Sequence, residues 1–315
     1  MRVVDHLSRA ASPPISFEII PPRRGSSLAD VLGLIEALAA FRPPFIDITS
    51  HPAEAVSVMG ASGKVTKVTR KRPGTLGLCA LVQYKYRIDA VPHVLCSGFT
   101  REETEDFLIE LRYLGIDNLL ALRGDDKGVP KHVDAGRSVN TDAASLVAQL
   151  VQLNRGTYLD GTDRGDAASF CIGVAGYPEK HGLAPSLEAD LDALEAKVRA
   201  GADYVVTQMF FNCDHYRSFV AACRTRGITV PIIPGLKVLT RKRHLEALPR
   251  IFGCELPDAL RDAVNRCPTD DATAVGIDWA IEQGRALLAQ GAPALHFYVM
   301  QDPGPVSAVA RALNA

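Results

Sequence analysis

Glu18 lies inside an apolar, strand-like run, Ile15-Ser16-Phe17-Glu18-Ile19-Ile20, which Pro21-Pro22 brings to an end. A carboxylate carried into apolar surroundings loses hydration and its pKa rises, which makes a proton donor able to work near neutral pH. Taken alone, such a glutamate also fits an edge strand whose side chain reaches water. The pattern recurs, however. Polar residues close later apolar runs as well, giving the series Glu18, Thr49, His93, Arg123 with Asp125, Tyr177 with His181, Gln208, Lys237 and Gln301. Buried polar groups need partners or ligands, so a series of this kind points to one shared polar site.

The runs that carry these residues read as strands. After the first come Phe45-Ile46-Asp47-Ile48-Thr49, Val91-Pro92-His93-Val94-Leu95 and Asn118-Leu119-Leu120-Ala121-Leu122. Phe170 to Ala175, Tyr204 to Gln208, Pro231 to Gly235 and Ala294 to Val299 follow, making eight in all. Amphipathic stretches with helix punctuation separate most of them. Thr100-Arg101-Glu102-Glu103 is a capping box whose helix ends at Gly115, and Ser186 opens a second helix that ends at Gly201. Further helices are expected from about Asp214 to Gly227 and from about Asp270 through Trp279 to Gly291. Eight buried strands alternating with helices predict an α/β fold, a closed (β/α)8 TIM barrel occupying residues 1–315 as a single domain. The open doubly wound sheet is the rival, but no Gly-x-Gly-x-x-Gly follows any strand. In a barrel the carboxyl ends of the strands converge on one mouth, where the polar series would meet.

With 315 residues and 47% hydrophobic content, the chain can bury a large core. A net charge of -1 gives no electrostatic basis for binding nucleic acid or a membrane surface. The first residues lack a long apolar stretch, and the seven cysteines form no Cys-x-x-Cys pair. Both features predict a cytoplasmic protein with reduced thiols. Two segments depart from the barrel template. Residues 50–88 form an extended connection between the second and third strands, carrying Lys64, Lys67, Arg70, Lys71 and Arg72. It reads either as a solvated basic loop or as a device that steers a phosphate-bearing ligand. Residues 154–168 are turn-rich and read as a surface excursion.

Six segments in order carry a family resemblance: Ser16 to Arg23, Ala121 to Asp125, Ala175 to His181, Thr207 to Phe211, Ile233 to Gly235 and His296 to Tyr298. Together they resemble the motif series of the methylenetetrahydrofolate reductases, from about residue 14 to residue 312. The resemblance implies a barrel that binds FAD, takes hydride from NADH or NADPH, and reduces 5,10-methylenetetrahydrofolate to 5-methyltetrahydrofolate by a ping-pong scheme. It implies the catalytic unit without the regulatory domain of eukaryotic members. Family positions that contact FAD fall on Thr49, His93, Leu122, Arg123, Gly124, Asp125, Tyr177, His181, Ala184, Asp190 and Lys197. Folate contacts fall on Glu18, Asp125, Gln208, His244 and Leu248. Glu18 and Asp125 are the expected catalytic residues. Glu18 would be the acid for folate N10, and Asp125 the carboxylate beside the flavin ring.

The chain departs from that pattern in places. Ala196 stands where an arginine commonly precedes Lys197, Gln301-Asp302 replaces an Asn-Arg pair, and Asp142-Ala143-Ala144-Ser145 replaces a Tyr-Ala-Ser-Asp-like stretch. Two other classes remain open at this level. One is a metal-dependent barrel hydrolase using His93, Asp125 and His181; the other is a flavin- or folate-binding homologue without turnover. No metal is expected under the family reading, and a homo-oligomer is implied by resemblance alone.

Overall fold

Every apolar run read from the sequence forms a strand, and neighbouring strands of the barrel pair in parallel. The computed structural model describes residues 1–60, 63–72, 74–124, 133–162 and 167–314. In chain order the strands are β1 (Ile15–Ile19), β2 (Phe45–Ile48), β3 (Glu54–Gly60), β4 (Gly63–Thr69), β5 (Asp89–Leu95) and β6 (Asn118–Leu122). They continue as β7 (Cys171–Gly176), β8 (Tyr204–Thr207), β9 (Ile232–Ile233), β10 (Gly235–Leu236) and β11 (Leu295–Met300). Nine of them form one sheet in the order β10-β11-β1-β2-β5-β6-β7-β8-β9. The two end strands, β9 and β10, are halves of one run interrupted at Pro234, whose nitrogen carries no hydrogen for a ladder bond. The sheet therefore closes on itself as the eight-stranded barrel.

One helix precedes the first strand, and the others follow the strands around the outside. They are α1 (Val3–Arg9), α2 (Leu28–Ala39), α3 (Thr75–Ala80), α4 (Arg101–Tyr113), α5 (Ala143–Asn154) and α6 (Leu187–Ala200). The rest are α7 (Cys213–Thr225), α8 (His244–Phe252), α9 (Asp258–Asn265), α10 (Thr273–Ala289) and α11 (Gly304–Asn314). The expected capping box closes both ways on α4: Thr100 Oγ1 accepts from Glu103 N at 3.1 Å, and Glu103 Oε2 accepts from Thr100 N at 2.9 Å. Ser186 caps α6 through Ala189 N. No described helix is long and apolar enough to cross a membrane.

Three apolar clusters hold this frame. Inside the barrel, toward the amino ends of the strands, Phe45, Val91, Leu120, Cys171, Tyr204 and Ile233 form a plug covered by Val3 of α1. Between strands and helices lies the main core, with Phe17, Ile35, Leu108, Leu119, Val174 and Phe297 among its members. A third cluster joins Met209 and Phe211 to Leu248 and Leu260 under α8 to α10. The plug matters for the site because it floors the mouth with apolar surface. It leaves the upper layer of inward-facing residues desolvated from below.

The connection over residues 50–88 is not a plain loop. β3 and β4 pair as an antiparallel hairpin, Glu54 opposite Thr69 and Met59 opposite Lys64, and α3 follows. The β-branched Val65, Thr66, Val68 and Thr69 suit a strand, but most described side chains of β4 are exposed, so the hydrophobic pattern that marks a buried strand is absent. Lys71 pairs with Glu54, and Arg72 Nη1 donates to Pro21 O at 2.7 Å.

Candidate active site at the carboxyl ends of the barrel strands

Strand register decides which polar residues meet. On β1, Glu18 lies opposite Asp47 of β2 and Tyr298 of β11, one layer above the Ser16–His296 pair. His93 of β5 reaches into the same space: its Nε2 is 3.4 Å from Glu18 Oε2 and 3.7 Å from Asp47 Oδ2. Glu18 keeps 12% of its side chain exposed, at the mouth, while Asp47 is fully buried. Burial is the main force on Glu18 and pushes its pKa up to about 7, aided by Asp47 and opposed by His93 and Lys237. Burial alone lifts Asp47 well above the usual carboxylate range, and it depresses His93.

The rim adds a cation and two more aromatic or imidazole groups. Lys237 Nζ donates to Tyr298 O at 2.9 Å, and burial lowers its pKa to about 8 against the pull of Glu18 and Asp302. Tyr298 donates its hydroxyl hydrogen to Thr207 O at 2.6 Å, while Thr207 Oγ1 accepts from Gly235 N at 2.9 Å. Gly235 is required here, since a Cβ at that position would come within 2.1 Å of Thr207 O and 2.6 Å of the Tyr298 hydroxyl. His296 Nδ1 is 2.9 Å from Ser16 Oγ, and burial drives its pKa down to about 3. Among the described residues, no hydrogen bond reaches either carboxyl oxygen of Asp47, Thr49 Oγ1, His93 Nε2 or His296 Nε2.

A second polar group lies beside it, where β7 runs into α6. Tyr177 and His181 stack edge to face with centroids 4.6 Å apart. His181 N donates to Asp190 Oδ2 at 2.8 Å, and His181 Nδ1 accepts from Leu183 N at 3.1 Å. Ala184 O accepts from Lys180 Nζ at 2.6 Å. Lys197 of α6 is buried, donates to Ala175 O at 2.5 Å, and has its pKa lowered to about 8 by desolvation. Arg123 contributes its charge to the field at His181. Burial also lowers the pKa of His181.

Most expected positions thus gather at one end of the barrel. Glu18 and His93 touch the central cluster; Thr49 follows β2, with its N–H on Ile19 O at 3.1 Å; Leu122 and Gly124 stand at the end of β6, Gly124 with φ 84°. Gln208 follows β8 and accepts through Oε1 from Met209 N at 2.9 Å. His244, at the start of α8, is lowered in pKa by burial and by Lys237, so it flanks the rim. Leu248 is instead buried in the apolar cluster that also contacts Tyr298. Asp125 lies outside the described residues.

Sequence reasoning assigned no role to Asp47, Tyr298 or His296. For Asp47 a signal existed: it is a charged residue within the apolar run Phe45 to Ile48, the same mark that singled out Glu18. A cavity of about 280 Å³ opens from His93 and Leu95 toward Arg70 and Arg72 of the hairpin segment and Phe107 of α4.

Comparison with known proteins places this arrangement. The family model described as methylenetetrahydrofolate reductase matches residues 2–314. A probable NADPH methylenetetrahydrofolate reductase of Caenorhabditis elegans is 30% identical over 302 residues, covering 95% of this chain and 42% of that protein. Methylenetetrahydrofolate reductase (NADH) 1 of Arabidopsis thaliana is 30% identical over 315 residues, covering 95% and 48%. The chain thus spans about half the length of these relatives. It covers 86% of the 5,10-methylenetetrahydrofolate reductase of Salmonella typhimurium, at 28% identity over 291 residues and 91% of this chain. Among solved structures, an uncharacterized protein from Clostridium thermocellum that binds two copies of 5-methyl-5,6,7,8-tetrahydrofolic acid superposes with a TM-score of 0.60. It covers 99% of this chain and 97% of its own at 14% identity, a likeness of fold alone. Matched by the family model over nearly its whole length, the chain belongs to the methylenetetrahydrofolate reductase family.

Proposed function

We propose that this chain reduces 5,10-methylenetetrahydrofolate to 5-methyltetrahydrofolate, with NADH or NADPH as hydride source and FAD as carrier. The observation that carries the reading is Glu18, a carboxyl group at the barrel mouth whose pKa of about 7 keeps a proton available at neutral pH. The methylene carbon of the substrate bridges N5 and N10, and it becomes a hydride acceptor only when the bond to N10 opens. Glu18 delivers the proton to N10, the carbon–N10 bond breaks, and a cationic iminium remains at N5. Glu18 is left as a carboxylate near that cation, with Lys237 as its nearby counter-charge.

The residues at the mouth suit FAD. Thr49 Oγ1 is a buried polar atom without a hydrogen bond among the described residues, and Lys197 is a buried ammonium whose charge is felt at His181. Thr49, His93, Arg123, Tyr177, His181 and Lys197 would hold the cofactor, which when bound supplies hydride carriage from the nicotinamide to the substrate carbon. By resemblance, Asp125 would supply a negative charge to the flavin. Gln208 would offer its amide to the pterin. We read the chain as one barrel unit of a cytoplasmic homo-oligomer; sedimentation tests the oligomer, and a monomeric mass refutes it.

Among the described residues, which leave out Asp125, neither His93 nor His181 belongs to a group able to hold a metal ion. Among the described residues, the group whose ligand atoms lie within 4.8 Å of one another is Glu179, His215 and Glu255, and it does not include His93 or His181. His215 Nδ1 is already 2.8 Å from Glu179 Oε1. The deciding experiment separates the two half-reactions of a Glu18→Gln variant. Bleaching of the flavin by the reduced nicotinamide should persist, whereas reoxidation by methylenetetrahydrofolate should slow by about 10² to 10⁴-fold. Purification of a colourless protein that binds no flavin, or reoxidation at the wild-type rate, refutes the reading.

A further inference from the structure

We propose that Asp47 is a positioning residue: as a neutral carboxylic acid it donates a hydrogen bond to His93 Nε2, and so keeps the neighbouring Glu18 free to serve as the proton donor. The inference rests on the proposed role of Glu18. Its basis is one nitrogen facing two carboxyl groups. His93 Nε2 stands 3.4 Å from Glu18 and 3.7 Å from Asp47, and it has no hydrogen bond of its own among the described residues. Both oxygens of Asp47 are likewise without one, although the side chain is fully buried above the apolar plug. Two adjacent buried polar groups in want of partners are most readily satisfied by each other. The 3.7 Å gap exceeds a direct hydrogen bond by about 0.5 Å, within reach of a small rotation of either side chain.

The surroundings determine which group carries the proton. Facing the pair are Tyr204 from β8, Cys79 from α3, His296 and Tyr298 from β11, and Lys237 after β10. Burial raises the pKa of Tyr204, Cys79 and Tyr298 and lowers that of His296, so all four are neutral near pH 7. Lys237 is the remaining cation and lies toward Glu18. A charged Asp47–imidazolium pair would need two buried charges with no further hydrogen bonds to solvate them. The neutral arrangement avoids this. Asp47 then holds the donor hydrogen, Nε2 accepts it, and the ring proton resides on Nδ1.

The consequence reaches Glu18. A committed Nε2 neither donates to the Glu18 carboxylate, which would lower its pKa, nor accepts the Glu18 proton, which would turn it away from the substrate. Without the Asp47 donor, Nε2 turns to Glu18 and one of those two losses follows. Replacing Asp47 by Ala should therefore slow folate reduction by about 10 to 10²-fold, part of the full contribution of a positioned acid. The alkaline limb of its pH profile should move to lower pH if Nε2 donates. Asp47→Asn keeps an N–H donor and cannot ionise, so it should recover most of the lost rate and the wild-type limb.

The state of the ring gives a readout that needs no turnover and no flavin. In protein carrying ¹⁵N-histidine, the His93 signals should report an unprotonated Nε2 near neutral pH in the wild type and in Asp47→Asn, and a changed environment in Asp47→Ala. A protonated Nε2 in the wild type overturns the proposal. So does an Asp47→Asn variant as impaired as Asp47→Ala, or an Asp47→Ala variant with wild-type rate and limb. Should Asp47→Ala not fold, the wild-type and Asp47→Asn spectra and rates decide alone. Glu18→Gln serves as the parallel control: if it reoxidises normally with folate, the acid assignment fails. If it does not, a failure at Asp47 concerns Asp47 only.

Discussion

Replacing Glu18 by Gln should stabilise the protein in alkaline solution, and the size of the effect follows from burial. The carboxyl pKa rises from 4.5 to about 7, with desolvation as the leading cause. At about 1.4 kcal/mol per pH unit, that rise corresponds to about 3 kcal/mol. The sign follows from proton counting. Between 4.5 and about 7 the folded state binds the proton more tightly than the unfolded state, so stability falls as pH rises through this window. Above it the loss is complete. The amide of the Glu18→Gln variant cannot ionise in either state and escapes the penalty, but Lys237 then loses the carboxylate that supports its charge, which offsets part of the gain. The expected net gain is about 1 to 3 kcal/mol near pH 8, shrinking to under about 1 kcal/mol near pH 5. Chemical denaturation of both proteins at the two pH values, in the same cofactor state, measures it. Equal stability at both pH values would mean that Glu18 is solvated in the folded protein, and the argument for a neutral acid would fall with it.

Lys197→Met removes a buried ammonium whose pKa is lowered to about 8, so the variant should be more stable near neutral pH while retaining flavin less well, by about tenfold or more in dissociation constant. Unchanged flavin affinity by fluorescence titration would remove Lys197 from the cofactor site. Relative to a Lys197→Met, Lys237→Met double variant, the wild type should gain stability as pH rises from about 8 to 10.5, because the two lysines then shed protons in the unfolded state that the folded state has already released, while the raised buried thiols titrate alike in both proteins and cancel. A stability difference between the two proteins that stays constant across this range refutes the assignment. Gly235→Ala should destabilise by about 2 kcal/mol or more and displace Tyr298, since the new Cβ has no room beside Thr207 O; a wild-type melting temperature contradicts this. Joining Glu54 to Thr69 through a short glycine linker deletes a hairpin that pairs with no barrel strand, so the melting temperature should change by only a few degrees. A large drop would show that the hairpin supports the barrel.

The alternation of eight apolar runs with capped helices was enough to specify the barrel, because both periodicities and caps act over a few residues. Asn118–Leu122 and the Thr100 box appear in the structure at the positions where the chain announces them. Glu18 was legible for the same reason, as a carboxylate inside a local apolar run. The hairpin was not, since both its faces are largely exposed and no buried period marks it. Nor could local pattern reveal that Glu18, Asp47, His93 and Tyr298, spread across 280 positions of sequence, share one layer. That follows from the register of β1 with β2 and β11, which sets Glu18 between Asp47 and Tyr298. Closure at Pro234 brings Lys237 to the same mouth. The amino-acid sequence by itself determined which side chains were available and which strands would carry them. Their protonation depends on what surrounds them, and only tertiary packing, by closing an apolar plug beneath the mouth, decided that two of the carboxyl groups give up hydration and hold their protons.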